Sequence, residues 1–270
     1  MCIAPILVRS TKIIRNYSYD KVPCGKCHEC LSRRAAGWAF RLNQQDLHSL
    51  SSFFITLSLA DENLIYNVKD KLPELHKPHL QKMFKRIRKN THNKTLKYYA
   101  VGEYGTLTQR PHYHAIVFNC NYDDIENNWH LGNVHFGDAS GAAIRYVTNY
   151  VMCKNDDYGN RMKPFSLMSK GLGIQYLTDV NKRYHLKNMA SFVTLTGGQK
   201  QAMPRYYRDK IFDSYYRDIL TEYADELRLE KQRKRIEKHG EYIAEEKALN
   251  TKLAAISSAS YRKKFSKNKI

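Results

Sequence analysis

Hydrophobic and polar positions change period several times along this chain. Phe53-Phe54-Ile55-Thr56-Leu57-Ser58-Leu59 is β-branched and aromatic and predicts a buried strand. From Pro78 to Lys89 the period becomes helical, with Leu80, Met83, Phe84 and Ile87 on one face and basic residues on the others. Tyr98 to Tyr104 and His112 to Phe118 predict two paired strands, and Asn133 to Phe136 a short further one. Gly141 to Lys154 predicts a helix with Ser140 as its candidate cap, and Cys30 to Leu50 another. Glu222 to Ile270, mostly Lys, Arg, Glu, Ala and Leu, predicts an exposed helix fraying into the basic end Arg262 to Lys269. This order is that of an α+β fold. Three zones follow: a cysteine-rich segment and helix (1–50), a main domain (51–220) and a charged helical tail (221–270). No internal repeat is present.

Composition narrows the partners. The chain has 270 residues, 42% hydrophobic, enough for a sizeable core. Its net charge of +19 is spread along the whole length and points to a polyanion, above all nucleic acid. No apolar stretch approaches the roughly 20 residues needed to span a bilayer, and the N-terminus lacks a secretory pattern, so a cytosolic protein is expected. Its six cysteines should be reduced there, which favours metal binding over disulfides.

His112 and His114 open a strand at positions i and i+2. They therefore point to one face, about 6.6 Å apart, and can reach one metal ion between them. Glu103 on the preceding strand joins them only if the hairpin register sets it opposite His112 or His114; opposite Tyr113 it would turn away. Two imidazoles and one carboxylate leave room for water and phosphate oxygens, a set suited to Mg²⁺ or Mn²⁺.

Tyr146, Tyr150 and Lys154 are spaced four apart and form one helical stripe, beside a separate apolar stripe of Ile144, Val147 and Val151. A phenol has a pKa near 10, so as a nucleophile it needs a neighbouring cation and an electrophilic phosphate. Lys154 can supply the cation beside Tyr150.

Cys24, Cys27 and Cys30 place three thiols in seven residues. Zinc takes four ligands at such gaps, with Cys2, His28 or a distant residue as the fourth and Cys2 preferred. A structural Zn²⁺ is expected here, with an iron–sulfur cluster or plain reduced thiols as alternatives. Lys82, Lys85, Arg86, Arg88 and Lys89 on the second candidate helix, with Arg110 and Arg205, are candidate DNA contacts. Trp38, Trp129, Tyr206 and Tyr207 are candidates either for stacking on bases or for the core.

Together these residues resemble the HUH replication initiators of rolling-circle elements, in their two-tyrosine class. They resemble most closely the replication-associated proteins of gokushoviruses, small single-stranded DNA bacteriophages of the microvirus family. The resemblance runs through Met1-Cys2, the Pro23 to Cys30 run with Arg33, Trp38 and Arg41, Phe54 to Ser58, and Gly102-Glu103-Tyr104-Gly105. It continues in Arg110-Pro111-His112-Tyr113-His114, Tyr146 to Lys154 and Pro204-Arg205-Tyr206-Tyr207. Cys153-Lys154 departs from it, since such proteins often carry two lysines there.

The resemblance implies a ferredoxin-like, palm-type antiparallel sheet with helices on one face and the histidines on the other. It also implies a metal-dependent endonuclease and strand transferase. Tyr150 attacks the nick-site phosphorus, leaving a 3′ hydroxyl primer and a 5′-phosphotyrosine, and Tyr146 acts in the second round that releases a circle. Single-stranded origin DNA, a host helicase and polymerase, and the host bacterial cytoplasm are the implied partners and setting. No G-x-x-x-x-G-K-[ST] loop for a fused motor occurs. The competing readings are an HUH transposase or relaxase, and a non-enzymatic zinc-stabilised DNA-binding protein.

Overall fold

The computed structural model describes residues 2–9, 19–92, 94–105, 107–149, 158–241, 243, 250, 251 and 254. In chain order, β1 (Ile6–Arg9) and β2 (Tyr19–Val22) form an antiparallel ribbon. Then follow α1 (His28–Asp46), β3 (Ser52–Leu57), the short pair β4 (Ile65–Tyr66) and β5 (Pro73–Glu74), and α2 (Lys77–Thr91). Next come β6 (Lys97–Tyr104), β7 (Pro111–Phe118), α3 (Tyr122–Glu126), β8 (Val134–Asp138), α4 (Gly141–Asn149) and β9 (Phe165–Met168). The last elements are α5 (Asp179–Lys187), the hairpin of β10 (Phe192–Thr194) and β11 (Lys200–Ala202), α6 (Arg205–Ile211) and α7 (Ser214–His239).

Compactness divides the chain into Arg34–Thr178 and, from its two ends, Met1–Arg33 with Asp179–Ile270. These cuts differ from those that composition suggests near residues 50 and 220. The second half of α1 belongs with the sheet because Trp38, Ala39 and Leu42 pack on it.

Within Arg34–Thr178 lies a five-stranded sheet of order β8-β3-β7-β6-β9, every neighbouring pair antiparallel. Strand alternation gives it two different faces. On one face Ile55, Leu57, Ala100, Tyr113, Ala115 and Val117 pack against Leu80, Met83, Phe84 and Ile87 of α2. These four α2 side chains are fully buried, each stabilising the fold by about 1.5–3 kcal/mol. Pro78 near the first turn and Arg88 and Lys89 in the last turn suit the ends of that helix. Trp129 is also core: it packs against Tyr113 and donates its indole N–H to the Ser58 carbonyl at 3.1 Å.

The other face carries Tyr99, Val101, Ile116 and Phe118, covered by Trp38 and Leu42 of α1 and Ile144 and Val147 of α4. Helices therefore lie on both faces, not on one as the resemblance implies. The reason is chemical. His112, His114, Glu103 and Thr56 occupy only one end of this face, and the apolar remainder needs cover.

α4 begins where expected. Ser140 accepts the Ala143 N–H on its hydroxyl (3.2 Å) and the Ile144 N–H on its carbonyl (2.9 Å). In the other unit α7 starts at Ser214, ahead of the expected Glu222, because Asp213 caps it by accepting the Tyr216 N–H at 3.0 Å. Among the described residues no helix is long and apolar enough to cross a membrane.

Candidate functional site

Glu103 stands directly across from His112 in the β6–β7 pairing, and Val101 across from His114. This is a register that turns the carboxylate toward the imidazoles. Both Nε2 atoms lie 2.8 Å from the same oxygen, Oε1 of Glu103. The three ligand atoms fall within 4.8 Å of one another, a group able to hold a metal ion. The Glu103 and His114 side chains are only 8% exposed, against 24% for His112, so the group opens to solvent at His112.

The ring orientations have identifiable causes. His112 Nδ1 lies 3.2 Å from the Arg110 carbonyl, an acceptor, so Nδ1–H donates there. A neutral His112 then aims the lone pair of Nε2 at a carboxylate oxygen. Only a cation between them, a proton or a metal ion, makes that contact favourable. Burial works to depress the His112 pKa, but the Glu103 hydrogen bond and charge, with the Arg110 carbonyl, outweigh it and raise the pKa. His114 is held by the Thr56 hydroxyl, 2.9 Å from Nδ1. Thr56 faces His114 across the β3–β7 pair. The donor set and its outer partners therefore fit a metal ion.

Tyr146 reaches this group from α4. Its ring meets His114 edge-on at 5.3 Å between centroids and Phe54 at 6.0 Å, while Phe54 stacks on His114 at 5.4 Å. Ile144 and Val147, both buried, anchor the helix on the sheet and leave Tyr146 half-buried beside the imidazole. Tyr150 and Lys154 lie outside the described residues, as does the end of the expected helix.

The basic candidates divide. Lys82, Lys85, Arg88 and Lys89 are exposed on α2, across the sheet from Glu103, His112 and His114. Arg86 donates to the Asn128 carbonyl at 2.7 Å, and Arg110 pairs with Asp61 at 2.6 Å and bonds the Leu59 carbonyl. Arg205 pairs with Asp209 at 3.0 Å. Trp38 packs on Tyr99 with the Arg41 guanidinium over its ring, and Tyr207 is fully buried. Thr56 and Phe54 escaped the sequence reading as site residues. Their signal was alternation, since Phe54 and Thr56 share one face of a strand otherwise read simply as buried.

In the other unit, Cys2 joins Cys24, Cys27 and Cys30, with all four sulfurs within 4.8 Å of one another. His28 is not part of this group. Cys24 is held low by the N–H groups of Lys26 and Cys27. Burial pushes Cys27 up, but the N–H groups of Ile3 and Cys30 and the neighbouring thiols bring it to about 6. Cys30 is pushed up to about 12, by burial first and then by its thiol neighbours.

An α+β protein with an antiparallel sheet and a Glu-His-His donor group beside a helical tyrosine is the class these features define. Residues 52–156 match the family model of replication-associated protein ORF2. Over 235 residues the chain is 28% identical to replication-associated protein ORF2 of Spiroplasma virus 4, covering 77% of this chain and 73% of that protein. It is 27% identical to replication-associated protein VP4 of Bdellovibrio phage phiMH2K, covering 76% and 71%. To replication-associated protein ORF4 of Chlamydia phage 1 it is 24% identical, covering 80% of this chain and 60% of that protein. No solved structure matches. The chain is a relative of phage replication-associated proteins, as its motifs imply.

Proposed function

We propose that this protein initiates rolling-circle replication of a phage genome by nicking and rejoining the origin strand through tyrosine. One observation carries the reading: two imidazoles converge on a single carboxylate oxygen, with the Tyr146 ring edge-on to one of them. In this reading the sheet is of the palm type found in HUH endonucleases.

Glu103, His112 and His114 would hold Mg²⁺ or Mn²⁺, which when bound polarises the scissile phosphate and offsets its developing charge. The other roles belong to the chain itself. Thr56 and the Arg110 carbonyl keep both Nε2 atoms turned inward. Tyr150 is the first nucleophile and Lys154 the cation that favours its phenolate. As its oxygen bonds to phosphorus, the bond to the 3′ oxygen breaks and the phenol's proton ends on that oxygen. A 3′ hydroxyl is left to prime synthesis, and the 5′ end stays esterified to tyrosine. The ester conserves the bond energy, so rejoining needs no nucleotide cofactor. Tyr146 then cuts the regenerated origin while the free 3′ hydroxyl attacks the first ester and closes a circle. Two tyrosines one helical turn apart can take turns at one site. A host helicase and polymerase complete the reaction in the host bacterial cytoplasm.

The test uses single-stranded origin DNA with Mn²⁺ and denaturing gels. The wild-type chain forms a covalent adduct that maps to Tyr150 or Tyr146, and the double substitution Tyr146→Phe with Tyr150→Phe abolishes it. An adduct of undiminished yield in that double variant would overturn the reading.

A further inference from the structure

The reaction proposed above makes no use of the four gathered cysteines. We propose that Cys2, Cys24, Cys27 and Cys30 hold a structural zinc ion that staples the N-terminal segment to the first turn of α1.

Sulfur spacing is the first argument. A tetrahedral zinc with bonds of about 2.3 Å sets its sulfurs about 3.8 Å apart. The Cys27 and Cys2 sulfurs are 3.8 Å apart. All four thiols are free, and all four sulfurs lie within 4.8 Å of one another. That is too far for a disulfide and suited to a single ion at the centre. An iron–sulfur cluster places several atoms between its cysteines and spreads them more widely than one ion does.

The surrounding backbone is arranged for sulfur that carries negative charge. The Cys24 N–H points to Cys2 Sγ at 3.3 Å, and the Cys27 N–H to Cys24 Sγ at 3.3 Å. Cys27 is also the cap of α1, since its carbonyl accepts the Leu31 N–H at 3.0 Å. Its sulfur therefore sits at the positive end of that helix. Gly25, with φ at +71°, takes the left-handed turn that brings Cys24 and Cys27 together.

A need for the staple is visible nearby. All four residues of β1 are exposed, so that strand buries no apolar side chain to hold the N-terminal segment in place. A closed four-thiolate site has no open position for substrate, which makes it structural rather than catalytic.

The experiment is metal analysis of the full chain purified without chelator, followed by exchange with Co²⁺. About one zinc ion per chain is expected, and the cobalt form should show strong thiolate charge-transfer absorption with tetrahedral d–d bands. Cys24→Ser with Cys27→Ser should lose the zinc, whereas His112→Ala with His114→Ala should keep it. Cys2→Ser, which leaves three thiols, should lower the charge-transfer intensity per cobalt by about a quarter. Zinc at background, a brown iron chromophore, zinc that follows the histidines, or an unchanged Cys2→Ser spectrum would each overturn the proposal. The cobalt spectrum of the wild-type chain decides the matter even where the double cysteine variant fails to fold.

Discussion

Thr56 Oγ1 stands 2.9 Å from His114 Nδ1, across the β3–β7 pair in which the two residues face each other. An uncharged side chain thus sets which nitrogen of a buried histidine turns toward Glu103. Phe54, two residues earlier on the same face, stacks on that ring. His114 is held by chemistry from a strand that contributes no ligand of its own.

Thr56→Val keeps the shape and removes the hydroxyl. Mn²⁺ affinity, measured by EPR titration, should fall about 10–100-fold, as it does when an outer partner of a ligating histidine is lost. Thr56→Ser should restore most of it. Unchanged affinity in Thr56→Val would show that packing by Phe54 and Tyr146 suffices to orient the ring.

Lys82, Lys85, Arg88 and Lys89 lie on the far side of the sheet from the donor group. DNA bound over Glu103, His112 and His114 therefore meets few of them. Changing all four to Gln should lower the salt-dependence slope of single-strand binding by less than about 1. Four lost phosphate contacts would lower it by about 2.8. The single-turnover cleavage rate at saturating DNA should not change.

Gly102 precedes Glu103 and faces the α2 side of the sheet. A Cβ there would lie 2.9 Å from Phe165 Cε1 and 3.0 Å from Leu75 Cδ2. Gly102→Ala should destabilise the protein by about 1–3 kcal/mol in guanidinium unfolding, through overpacking. Adding Phe165→Leu should recover part of the loss.

His79 is buried against Tyr113, whose hydroxyl lies 2.9 Å from its Nδ1. Burial, helped by His76 and Lys82, depresses its pKa from 6.5 to about 4. Between those values the unfolded chain takes up a proton that the folded chain refuses. The stability from this group is complete above pH 6.5 and is lost as pH falls toward 4. Urea unfolding at several pH values should show that decline, and His79→Gln should flatten it. An equal slope in the variant would assign the acid sensitivity elsewhere.

Much of this protein was legible before any fold was known. The period-two and period-3.6 runs locate β3, α2, β6, β7, β8 and the start of α4 to within a few residues, because each element has one face that must be buried. His112 and His114 share a side by strand geometry alone, and Cys24, Cys27 and Cys30 are close in space because they are close in sequence.

Tertiary structure decided whatever depends on partners distant in the chain. Register alone set Glu103 opposite His112 rather than Tyr113, and a slip of one residue would have turned the carboxylate into the α2 core. Sheet order brought Thr56 to His114 and cast Arg86 and Arg110 as structural clamps on Asn128 and Asp61. It also placed the α2 cations on the side away from the site. Folding of the N-terminal segment chose Cys2 over His28 as the source of the fourth ligand atom. Local sequence constrains periodicity and spacing, whereas long-range pairing is selected by the free energy of burying whole faces together, and no single segment contains that sum.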